Sequence, residues 1–135
     1  VQADDEAHAR DIAAYVGPLL IALAAGLLMN RKVLPDLAQQ LSHEYGLIFL
    51  SGALLFLGGL AIVRAHNVWS GGWRVIVTVL GWLGVVGGLM RILYFRHLAQ
   101  LSGTVAAMPS VILFSALAML FLGAFLTLKG YRLLD

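Results

Sequence analysis

Four stretches of this chain are apolar and uncharged for long enough, or nearly so, to cross a lipid bilayer. That feature constrains the fold more than any other. A spanning helix takes about 20 residues at roughly 1.5 Å each. The runs are Ile12 to Met29, Gly46 to Val63, Trp73 to about Phe95 and Met108 to Leu128. Asn30, Arg31 and Lys32 close the first, Arg64 the second and Lys129 the fourth, while Arg91 lies one turn inside the end of the third. None alternates with period two as a barrel strand does. The pattern predicts an all-α integral membrane protein, a four-helix bundle forming one domain over residues 1–135. Composition agrees, because 61% of the side chains are hydrophobic and only 12% are charged, whereas soluble domains carry about 25% charge.

The connections carry most of the polar residues. Val1 to Asp11 is acidic, the opposite sign to the basic leader of a secretory signal, so the first run reads as a retained helix. Between 34 and 45, Leu34, Leu37, Leu41 and Tyr45 fall at helical spacing opposite Asp36, Gln39, Gln40 and His43. Pro35 suits a first helical turn, and the segment reads as an amphipathic helix in the membrane interface. The third connection, Arg64 to Arg74, is a tight turn with Trp69 and Trp73, whose rings favour the headgroup level.

An internal repeat is visible. Gly26 to Arg31 is echoed by Gly88 to Arg91, Leu37-Ala38-Gln39-Gln40-Leu41 by Leu98-Ala99-Gln100-Leu101, and Phe56-Leu57-Gly58 by Phe121-Leu122-Gly123. This predicts two two-helix hairpins in parallel orientation, related by a pseudo-two-fold axis along the membrane normal. Five cations on the terminus face (Arg10, Arg64, Arg74, Lys129, Arg132) against four on the other (Arg31, Lys32, Arg91, Arg96) lean towards cytoplasmic termini.

Function classes are narrowed by exclusion. The central part of every run lacks Asp, Glu, Lys, Arg and His, the residues that mark proton and ion paths in membranes. Small drug exporters need an embedded carboxylate, quinone-linked thiol oxidoreductases need cysteines, and di-haem cytochromes need paired histidines within helices. With no cysteine and no such histidine pair, none of these fits. Gly87 to Tyr94 hints at a small fluoride channel, but the polar pore signatures are missing from the last helix. A net charge of +2 reflects few acids rather than a basic nucleic-acid face.

Candidate sites are accordingly modest. Gly81, Gly84 and Gly88 form a small-residue stripe on the third run, with Ala22-xxx-Gly26 on the first as its expected counterpart. Packing inside the monomer is the first expectation for this stripe, and a partner or flat apolar ligand the second. Trp82 lies beside it, with the Thr78 hydroxyl as its expected partner. His66, Asn67, Trp69 and Trp73 form an interfacial turn. Arg91 and Arg96 are expected to snorkel or to contact an anionic headgroup. His43 and His97 fall on one face as weak metal or haem candidates, read first as interfacial caps. No cofactor is expected beyond bound lipid, with pigment or haem contact the less favoured alternative.

The segments His66-Asn67-Val68-Trp69, Trp73-Arg74-Val75-Ile76-Val77-Thr78, Gly81-Trp82 and Arg91-Ile92-Leu93 resemble a family of short bacterial inner-membrane proteins whose activity is uncharacterised. The resemblance implies four helices, a first helix ending in a pair like Asn30-Arg31, and residence in a bacterial inner membrane. Where that family has Phe-Pro at the end of the third helix, this chain has Tyr94-Phe95. The expected function is that of a non-catalytic accessory, stabilising or assembly subunit of a larger respiratory or photosynthetic complex. The alternative is a homo-oligomeric carrier or binder of a lipid-like or pigment-like ligand.

Overall fold

A computed structural model of the chain describes residues 1–105 and 108–133, apart from the side chains at 102 and 103. It is helical throughout, with no strand among the described residues: α1 (Gln2–Met29), α2 (Leu34–Ser42), α3 (Tyr45–Ala65), α4 (Arg74–Leu93), α5 (Phe95–Val105) and α6 (Pro109–Gly130). Four of these, α1, α3, α4 and α6, are long and apolar enough to span a membrane. Two differ from the sequence expectation. Helix α1 starts ten residues before Ile12, because its polar turns are helix-compatible. Asp4 and Asp5 sit in the first turn, where the macrodipole favours acids, and Arg10 pairs with Glu6 at 2.7 Å one turn away. Helix α5 occupies what read as a plain connection, making a second short amphipathic helix.

Each half therefore has the same order, a span, a short amphipathic helix and a span. The close packing, however, does not run within the halves. Helix α1 lies against α6, and α3 lies against α4. The two pairs are equivalent at a constant offset of 64 residues. A Cβ on Gly59 of α3 would press on the Gly81 carbonyl oxygen at 2.7 Å and on the Val85 nitrogen. On Gly123 of α6 it would meet the Gly17 oxygen at 2.9 Å and the Ile21 nitrogen at 2.9 Å. Positions 59 and 123, 81 and 17, and 85 and 21 each lie 64 apart. The parallel repeat is thus present as packing, but each hairpin closes on the other rather than on itself. With no hydrophobic drive between helices in lipid, close backbone approach decides which helices pair, and the matching glycines lie across the halves.

This corrects the expected counterpart of the glycine stripe. The Gly84-xxx-Gly88 pair packs on α3, against Gly59, Leu55 and the Phe56 backbone. In register, Gly88 corresponds to Ala24 and Gly81 to Gly17, which are both buried on α1. Ala22 is exposed, and Gly26 has open space where a side chain would stand. The echo of Gly26 by Gly88 is two residues out of structural register.

All four spans meet near the end where α1 begins and α6 ends. Ala9, Ala13, Val77 and Leu126 form the buried cluster there, flanked by Ile12, Ile62, Trp73 and Phe125. Polar ties reinforce it. Arg10 Nη1 donates to the Lys129 carbonyl at 3.1 Å, a cation at the C-terminus of α6. Arg74 Nη1 donates to the Gln2 carbonyl at 3.3 Å. Pro18 stands inside α1 and has no N–H to give the Ala14 carbonyl, and the Tyr131 hydroxyl donates to that oxygen at 3.4 Å instead. At the opposite end α2 and α5 lie against each other.

Candidate functional site

The turn between α3 and α4 is built around one threonine. Thr78, fully buried on α4, accepts from the Val68 N–H at 3.0 Å and donates to the Val68 carbonyl at 2.9 Å. One hydroxyl thus satisfies both backbone groups of a residue outside any helix. The Trp82 indole is not its partner. Trp82 is 40% exposed, and its Nε1 donates to Asn67 Oδ1 at 3.4 Å. The same oxygen accepts from Trp69 Nε1 at 2.9 Å. Gly71 and Gly72 take positive φ angles of 98° and 71° to turn the chain back, a conformation open to glycine at little cost. Trp69 is 62% exposed, while Trp73 is drawn into the four-helix core.

His66 is 2% exposed. Its Nε2 lies 3.3 Å from the Arg74 carbonyl oxygen, so this nitrogen carries the proton and donates, whereas the buried Nδ1 has no partner. As a set, His66, Asn67, Thr78 and the indoles lock the turn onto α4.

The other end contains a feature the sequence reading missed. A cleft opens between the end of α1, the underside of α2 and the start of α6. Its outer part, about 440 Å³, is lined by Leu28, Arg31, Lys32, Pro35, Pro109 and Ile112 among others. A smaller apolar part of about 180 Å³ shares Ile112 and runs under Leu34, Leu37 and Leu41. A third part of about 420 Å³ shares Leu27, Leu34 and Leu37 and reaches Ala22, Gly26 and Met119. Ala22 and Gly26 are thus cleft residues rather than packing residues. The available signal was the pair Arg31-Lys32 directly before an amphipathic segment.

The remaining candidates lie at the same end. Arg91 is exposed, with Nη1 donating to Ser51 Oγ of α3 at 3.3 Å. Arg96 and His97 are exposed on the first turn of α5, and His43 caps the end of α2. Among the described residues no group of three or more His, Cys, Asp or Glu side chains gathers. No family model, curated protein or solved structure matches the chain.

Proposed function

We propose that this multi-pass membrane protein is a non-catalytic accessory or assembly subunit of a larger complex in a bacterial inner membrane, with both termini cytoplasmic. The observation that carries the reading is how the hydroxyls within the spans are used. Ser51 donates to the Ile48 carbonyl at 2.8 Å, Ser115 to Val111 at 2.8 Å and Thr127 to Gly123 at 2.7 Å, each on its own helix. Thr78 is committed to the turn. All four thus donate to backbone carbonyls, and the central parts of the spans hold no ionisable group. Ionisable groups in a membrane ordinarily mark proton and ion paths, so their absence here favours packing over transport or chemistry. After gentle solubilisation the protein is expected to co-migrate with a much larger assembly on a native gel, and its deletion to lower the yield of that assembly. Migration alone, with every membrane complex intact after deletion, contradicts the reading.

A further inference from the structure

We propose that the cleft between α1, α2 and α6 binds one anionic glycerophospholipid from the adjoining leaflet. Arg31 and Lys32 hold its phosphate, and its acyl chains lie along Leu27, Leu37 and Ile112. This concerns a ligand rather than a partner chain and stands independently of the accessory role.

Three observations select this occupant. The first is charge. Arg31 and Lys32 line the cleft mouth and, among the described residues, neither makes a hydrogen bond or ion pair, while the Arg10–Glu6 pair lies at the other end. Asp36 and Glu44, the acids nearest in sequence, are not among the lining residues. Two free cations between helices at the interface favour an anionic headgroup over a zwitterionic one.

The second is lining. Below the cations the walls are Leu27, Leu28, Leu34, Leu37, Leu41, Val111 and similar side chains. Of the polar side chains in the lining, Asn30 donates its Nδ2 to the Gly26 carbonyl at 2.9 Å and Ser115 donates to its own helix. Such a trough gives water few partners and suits hydrocarbon, which separates a lipid from a free soluble anion. The third is size and place. The two larger parts, at about 440 and 420 Å³, fall within the roughly 300–1,000 Å³ typical of small-molecule sites. They lie under an interfacial helix, where a bilayer lipid enters sideways.

The test is native mass spectrometry of the full chain, reconstituted in vesicles of equimolar dioleoyl phosphatidylglycerol and dioleoyl phosphatidylcholine and then extracted. One phosphatidylglycerol should remain bound, favoured over phosphatidylcholine by about thirtyfold, as two interfacial cations imply. The double substitution Arg31→Gln, Lys32→Gln should bring that ratio to about one without lowering Tm, since both side chains are exposed. Arg64→Gln, at the terminus end, should leave it unchanged, and excess inorganic phosphate should not displace the lipid. Equal retention of the two lipids by the unaltered chain overturns the proposal. So does a preference that survives the double substitution, or ready displacement by phosphate.

Discussion

The two halves of this protein share one order of helices and differ first at the joint after the leading span. Between α4 and α5 stands a single residue, Tyr94, whereas Asn30 to Val33 separate α1 from α2. The three additional residues explain why the interfacial helices echo at 61, as with Leu37 and Leu98, while the spans correspond at 64. After the short joint, α5 closes on its pair, with the Phe95 ring edge-on to Tyr45 at 5.9 Å and to Phe49 at 6.5 Å. After the long joint, α2 stands off from α1 and α6, with no buried residue of its own, and the cleft lies beneath it. The longer joint also supplies Arg31 and Lys32. A small change in connection length has turned a packed corner into an open cationic one.

The comparison breaks most easily at the glycines shared by both pairs. Gly59→Leu should cost about 3 kcal/mol or more, because the obstruction is backbone that cannot move aside. Gly123→Leu should act alike. Gly58→Leu, whose side chain meets open space, should be neutral or gain about 0.5–1 kcal/mol from helix propensity. Thermal unfolding in detergent, followed by circular dichroism, would order them, and a tolerated Gly123→Leu would end the equivalence of the pairs.

Phe95→Ala should cost about 1–3 kcal/mol through two lost ring contacts, against less than about 0.5 kcal/mol for the exposed Leu41→Ala on α2. Equal effects would mean that α5 is no better seated than α2. Thr78→Val should cost about 1–3 kcal/mol by orphaning the Val68 N–H, with faster amide exchange confined to residues 66–73. Tyr131→Phe should cost about 0.5–1 kcal/mol, less than Thr78→Val, since its bond to Ala14 is long and exposed.

How much of this was legible beforehand follows from where the information lies. The spans and the amphipathic α2 are written in runs and periods of apolar residues, which lipid and interface read directly. The repeat was visible too, but its register was not. Apolar helices offer many chance echoes, and only the contact of Gly59 with Gly81 and of Gly123 with Gly17 fixes the offset. The stripe on α4 is legible as a packing face, but spacing alone cannot say which helix lies opposite, and α3 rather than Ala22 and Gly26 of α1 meets it. For Thr78 and Trp82 the residue types were right and the bonds wrong, since the turn folds back farther than adjacency suggests. The cleft itself is made by a joint of unequal length, and the Arg31-Lys32 pair before an amphipathic segment is its one trace in the sequence.

The central claim is that the spans pair across the halves, α1 with α6 and α3 with α4. The chain has no cysteine, so disulfide cross-linking in native membranes is free of background. Four positions serve: Leu23, Leu55, Gly87 and Met119. The Leu55 side chain lies 3.6 Å from where a Cβ on Gly87 would stand, and Leu23 and Met119, each 64 residues away, line one cavity. Oxidation should join Leu55→Cys to Gly87→Cys and Leu23→Cys to Met119→Cys. The same cysteines re-paired, Leu23→Cys with Leu55→Cys and Gly87→Cys with Met119→Cys, should stay apart. The reverse pattern would show hairpins closed on themselves and contradict the account.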